Sequence, residues 1–311
     1  MLSTLLIVLP VFALILTGWV VRRTGVMGPH AAGELNRFVV YLALPALLFD
    51  IIARAQLSEI WQPGLISAFG LSCVLVFAVT LAIRWRGPRH LADAAIDALG
   101  SSYANTGYMG FPLALAAFGS SAMTPTLIAS IITVCVIFAA AIVLVEVGLQ
   151  TERRTSQLIW KVGVSLAKNP LLVAPLLGAF FPLTGTSLPD TGASFLKLLG
   201  GAASPCALVS LGLFLAEKRE STTSDLGAVN LLMGMKLVLH PLAAWMLGKH
   251  VFHLPPSLLH PAVLLAALPT GTGPFMLAEY YRREASVTAK AIIGSTLLSI
   301  LTITVYLRFG T

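Results

Sequence analysis

Ten times along this chain a run of roughly 20 apolar residues recurs, which is the length needed to cross the hydrocarbon core of a bilayer. The runs fall at about 2–21, 33–53, 62–83, 91–118, 121–149, 158–181, 191–216, 226–248, 258–281 and 285–308. Without water to satisfy N–H and C=O groups, such runs must bond within themselves, so each is read as a helix. Composition agrees: 57% of the 311 residues are hydrophobic, 11% are charged, and the mean hydropathy is +0.88. That balance excludes a soluble globular domain. The fold class predicted is an all-α membrane protein with ten transmembrane helices.

The net charge of +7 gathers in short loops between the apolar runs, which marks topology rather than a nucleic-acid partner. With the N-terminus outside, Arg22, Arg23, Arg37, Arg84, Arg86, Arg89, Arg153, Arg154, Lys161, Lys218, Arg219, Arg282, Arg283 and Lys290 lie on the cytoplasmic side, against Arg54, Lys197, Lys249 and Arg308 outside. Both termini are therefore expected outside the cytoplasmic (inner) membrane of a bacterium. The first run has its basic pair after it, so it reads as a span rather than a leader. Cys73, Cys135 and Cys206 lie within apolar runs at unrelated spacings and suggest neither a disulfide framework nor a metal site. No HExxH, Walker loop or triad spacing recommends an enzyme, and no cofactor is expected beyond a coupling proton or sodium ion.

Two runs are interrupted. In the fourth, Tyr103, Asn105, Thr106, Gly107, Gly110 and Pro112 bring polar groups and helix breakers; in the ninth, Pro269, Thr270, Gly271, Thr272, Gly273 and Pro274 do the same. Irregular backbone at membrane depth is tolerated only around a polar cavity. The two are related by repetition. A shift of 160 residues superposes Pro10 on Pro170, Gly18 on Gly178, Thr24 on Thr184, Gly25 on Gly185, Pro29 on Pro189, Pro45 on Pro205 and Leu48 on Leu208. A shift of 166 then pairs Thr106-Gly107 with Thr272-Gly273. Each half (1–149 and 158–311, joined by a short cytoplasmic connection at 150–157) holds five helices. An odd count predicts an inverted repeat, with substrate bound where the broken helices meet.

On these residues the chain resembles the auxin efflux carrier family. An N-T-x-x-M-G-x-P-L pattern falls on Asn105, Thr106, Met109, Gly110, Pro112 and Leu113; A-L-P-x-G-x-x-P-F falls on Ala267, Leu268, Pro269, Gly271, Pro274 and Phe275; K-N-P falls on Lys168, Asn169 and Pro170. The likeness spans the whole chain but lacks the long central loop of some plant members. Gly271 to Phe275 followed by Ala278-Glu279-Tyr280 looks like the bacterial malonate-carrier branch. The resemblance implies crossed, broken helices four and nine, scaffold and transport domains built from both halves, elevator-like alternating access, and a homodimer.

The candidate substrate contacts are Asn105, Thr106, Gly107, Lys168, Asn169, Thr270, Gly271, Thr272 and Gly273, with Pro112, Pro170, Pro269 and Pro274 breaking the helices. An amide both donates and accepts, glycine admits close approach, and half-helix N-termini favour anions. Against this, Asn105 is also a natural helix cap, and Lys168 a charge that snorkels or meets an acid such as Asp97. For proton or ion coupling the candidates are Asp97, a solvated entrance residue in the plainer reading, and Lys236 with His240, which in the plainer reading pack on carbonyls. The function expected is secondary transport of small organic anions, mono- or dicarboxylates such as malonate or malate. Bile-acid symporters are similar in their crossover, so a sodium-coupled carrier of another amphipathic solute stays open, as does a non-transporting sensor.

Overall fold

The computed structural model describes residues 2–86, 89–150, 155–216 and 225–309. Arg153, Arg154, Lys218 and Arg219 lie outside the described residues, as does half of the expected 150–157 connection, 151–154. Among the described residues the secondary structure is helical, with one isolated β-bridge and no strand. The helices are α1 (Leu2–Arg23), α2 (Ala31–Ala53), α3 (Pro63–Arg84), α4 (Leu91–Ser102), α5 (Thr106–Phe118), α6 (Ser120–Leu149), α7 (Thr155–Lys168), α8 (Pro170–Thr184), α9 (Asp190–Ala216), α10 (Leu226–Val251), α11 (Pro256–Ala267), α12 (Gly273–Tyr280) and α13 (Ser286–Phe309).

Among the described residues, six stretches are long and apolar enough to span a membrane by themselves: α2, α3, α6, α9, α10 and Ser286–Arg308 of α13. A seventh counts if Ile159–Lys168 and Pro170–Thr184 form one span, bent by 68°. That bend sits where Pro170 cannot donate to the ladder and Asn169 turns extended. The fourth and ninth apolar runs are each divided into two shorter helices, α4 with α5 and α11 with α12. Proline also loosens helices without breaking them. A π-helical turn, Val39–Ala43, precedes Pro45 in α2, and another, Met235–Leu239, precedes Pro241 in α10.

Packing relies on small residues, as it must where lipid is as apolar as leucine. A Cβ at Gly18 of α1 would stand 2.1 Å from the Val209 carbonyl oxygen of α9, and one at Gly178 of α8 would stand 2.7 Å from the Phe49 carbonyl oxygen of α2. Both residues of the second contact differ from those of the first by 160 positions. Local structure repeats at the same offset. The Thr24 hydroxyl donates to Val20 O at 2.9 Å and the Thr184 hydroxyl to Phe180 O at 2.8 Å, and each helix then ends at a left-handed glycine, Gly25 with φ 78° and Gly185 with φ 69°.

Gly18→Leu or Gly178→Leu is expected to lower stability by roughly 1–3 kcal/mol through overpacking against backbone that cannot yield. Gly70→Ala in α3, where an added methyl meets nothing within 4 Å, is the control and leaves stability unchanged or slightly raised. Thermal unfolding of the detergent-purified protein checks this, and equal melting of all three variants would remove the role given to the close contacts.

Candidate functional site

The two interruptions meet. α4 ends at Ser102, Tyr103 turns extended, and α5 begins at Thr106; α11 ends at Ala267 because Pro269 disfavours helix at Leu268, whose ψ is 149°. The freed backbones pair in antiparallel fashion. The Asn105 N–H donates to Pro269 O at 2.9 Å, the Gly271 N–H donates to Tyr103 O at 3.0 Å, and Ala104 forms the isolated bridge with Thr270. Thr270 anchors the crossing in two further directions: its hydroxyl donates to Gly100 O of α4 at 2.8 Å, and its N–H donates to the Ser295 hydroxyl of α13 at 3.1 Å. Buried backbone groups that would cost free energy unpaired are thus satisfied.

A partly open cavity of about 50 Å³ lies beside this crossing, room for a few water molecules. Asn105, Gly107 and Tyr108 line it from the start of α5, and Thr272, Gly273 and Met276 from the start of α12. Ser130 and Val134 of α6, Leu44 and Leu47 of α2, and Ala203 and Ser204 of α9 complete the wall. No charged side chain lines it, so its electrostatics come from hydroxyls, one amide and the N-terminal turns of two helices. The Asn105 side chain does not cap α5, nor does the Thr272 side chain cap α12. Ser130 Oγ and Thr106 Oγ1 are buried without a hydrogen-bond partner among the described residues.

Gly271 and Gly273 serve close approach, although to a different neighbour from the one expected. A Cβ at either would fall 2.9 or 2.7 Å from the Tyr103 ring, so the glycines make room for an aromatic side chain. Thr270, Pro269 and Pro274 are buried in the crossing itself, and Pro112 lies exposed on the α5 surface. Lys168 ends α7 on the protein's outer surface and does not reach the cavity; the 68° bend turns it away. Asn169 is buried but already committed. Its Oδ1 caps α8 by accepting from the Leu171 N–H at 3.0 Å, and its Nδ2 donates to the Tyr281 hydroxyl at 3.3 Å, which in turn donates to Glu146 at 2.6 Å.

Asp97 is a buried counter-ion rather than a solvated entrance residue. Its Oδ2 accepts from Arg84 Nε and Arg89 Nη2, both at 2.7 Å. Arg84 also reaches Asp225, the cap of α10, at 2.9 Å, and Asp93 binds Arg283 through both oxygens, at 2.7 and 2.5 Å. Lys236 and His240 are wholly buried beside the broken end of α11, apart from the cavity. Sequence reasoning passed over Tyr103, Tyr108, Ser130 and Ser204 as site residues. One signal existed for the last: Pro45 and Pro205, aligned by the repeat, adjoin Leu44 and Ser204.

Two outcomes follow. Thr270→Val, isosteric but unable to donate to Gly100 O, is expected to cost about 1–2 kcal/mol in thermal or denaturant unfolding, and no loss would mean the hydroxyl does not tie the crossing. Asp225 is held below the usual carboxylate range by the Ala228 N–H first and by Arg84 second. Its folded pKa is the lower one, so its stabilisation is complete above about pH 4 and is lost as pH falls through the folded value. Asp225→Ala should therefore melt earlier at pH 7, by a cap's worth of about 1 kcal/mol at most, with the gap closing in acid.

The chain matches the family model described as "Membrane transport protein" over residues 4–307. It is 29% identical over 300 residues to a "Putative malonate transporter" of Rhizobium meliloti (strain 1021), spanning 96% of this chain and 93% of that protein. It is 28% identical over 302 residues to an "Uncharacterized transporter" of Methanothermobacter thermautotrophicus, spanning 95% of each chain. Over 143 residues it is 30% identical to "Probable auxin efflux carrier component 5c" of Oryza sativa subsp. japonica, covering 45% of this chain and 38% of the relative. Matched over nearly its whole length, this multi-pass membrane protein belongs to the membrane transport protein family that includes the auxin efflux carriers, and it is a transporter rather than an enzyme.

Proposed function

We propose that the chain is a secondary carrier of small mono- or dicarboxylates, malonate and malate among them, which binds its substrate in the cavity beside the crossing. One observation carries this reading: the N-terminal turns of two half-helices and the uncapped amide of Asn105 open onto the same cavity. Each turn offers unpaired N–H groups and a positive dipole end, the means by which helices bind carboxylates without a cationic side chain. Thr272 and Ser130 add hydroxyls to its lining. The printed name of the Rhizobium relative favours malonate within that class.

The same reading takes the two halves as inverted five-helix repeats, 1–149 and 158–311, making ten spans. Support comes from contacts that repeat at the offsets found in the sequence. The Gly18–Val209 approach maps onto Gly178–Phe49 by 160, and the Asn105 to Pro269 hydrogen bond maps onto Gly271 to Tyr103 by 166. The cavity is walled on one side by α2 and α9 and on the other by the crossing, an arrangement suited to elevator-like access in which a scaffold and a transport domain, each drawn from both halves, slide past one another. The bacterial cytoplasmic membrane, outward-facing termini and a homodimer complete this reading.

Thermal-shift titration of the purified protein with malonate, malate and monocarboxylates, followed by uptake into liposomes, tests it. Saturable binding and counterflow are expected. Asn105→Ala should weaken binding at least about tenfold, the cost of one hydrogen bond to a charged ligand. The reading fails if no carboxylate shifts the melt and the Asn105 variant transports normally.

A further inference from the structure

Lys236 is 0% exposed, yet among the described residues no carboxylate pairs with it. Burying an ammonium costs several kcal/mol unless something compensates. What faces it is the broken end of α11: Lys236 Nζ donates to Ala266 O at 2.5 Å and to His240 Nδ1 at 3.0 Å. A charged Lys236 requires the neutral His240 tautomer with its proton on Nε2, which lies 3.3 Å from Cys73 Sγ of α3, and the ring packs on Phe69. No acidic group from α3, α10 or α11 joins this cluster. The counter-charge is the negative end of the α11 dipole and its orphan carbonyls.

The other half makes the comparison. The carbonyl equivalent to Ala266 at the 166-residue offset is Gly100, at the broken end of α4, and its partner is the neutral hydroxyl of Thr270. One half-helix end therefore holds a hydroxyl and the other a cation. Carbonyls at the C-terminal ends of broken helices are where carriers of this architecture coordinate a coupling metal ion.

We propose that the Lys236 ammonium is a tethered cation occupying an alkali-ion position at the broken end of α11, so that the carrier works without sodium and the fixed charge holds the crossing in its binding shape. Lys236 is then a positioning residue, acting through the Ala266 carbonyl and the Leu268–Pro269 segment that follows it. The inference deepens the carrier reading, on which its flux measurements rest.

The test uses the full chain in detergent and in liposomes, with sodium, N-methyl-D-glucamine or ethylammonium chloride at equal ionic strength. Wild type should melt and take up malonate identically in all three. Lys236→Ala should melt earlier and transport at least about tenfold less, from loss of a hydrogen bond to a charged group. Ethylammonium or sodium, but not the bulky amine, should then restore both saturably. Lys236→Arg should stay indifferent to sodium. Saturable sodium stabilisation of wild type, or wild-type melting and flux in Lys236→Met without any small cation, would overturn the proposal. Should Lys236→Ala fail to fold, the sodium titrations of wild type and Lys236→Arg still decide. The melting measurements need no carboxylate, so a wrong substrate and a wrong cation site give different results.

Discussion

Hydrocarbon does not forgive an unpaired backbone amide, and the two extended breaks of this chain can exist at membrane depth only by pairing with each other. The reciprocal bonds between Asn105 and Pro269 and between Gly271 and Tyr103 meet that demand. Other features of the centre depend on it. Thr270 can reach Gly100 only because Ala104 lies opposite it, and the starts of α5 and α12 share a cavity only because the crossing brings them side by side. A proline-to-helix-former change on one strand alone would leave the other strand's donors without partners.

Charge is kept away from the chamber where the anion would sit. The carboxylates and guanidiniums cluster at the ends of α3 and α4 and in the turn before α13, while the buried Lys236 faces the opposite pole of a half-helix. Under the carrier reading, a chamber lined by dipoles and neutral donors would bind an anion without a fixed cation, and Lys168, which does not line it, would take no part.

Much of this was legible in the residues. Asn105 among Gly107, Gly110 and Pro112 in an apolar run has few explanations other than a break around polar space, and the glycine and proline offsets carried the pairing of the breaks. Lys168 misled because a charge in mid-run signals a cavity only if its helix is straight, and the turn at Asn169-Pro170 points it outward. The pairing of Asp97 went unseen because no spacing rule ties it to Arg84 and Arg89, which come from the preceding helix end and loop. Ser130 and Ser204 went unseen because a serine hydroxyl can satisfy itself on its own helix and so gives no signal in an apolar run. Tyr103 was noticed as polar, yet its ring is what the two glycines accommodate.

The ion pairs are distributed unevenly in a way that bears on mechanics. Apart from Arg37–Glu34 and Arg54–Asp50, which are local to α2, the ion pairs among the described residues bind α3, α4, α10 and the turn before α13 to one another. Hydrogen bonds from α12 and the turn after it to α2 and the start of α8 are of another kind: Asn36 Nδ2 to Met276 O at 3.4 Å, Tyr41 to Tyr280 hydroxyl at 3.5 Å, and Asn169 to Tyr281 at 3.3 Å. Each is long, neutral and worth about 1 kcal/mol at most. Among the described residues, the polar contacts of α12 with α2 are therefore weaker than the buried ion pairs, so a shearing force between those two helices would meet packing and neutral hydrogen bonds rather than paired charges.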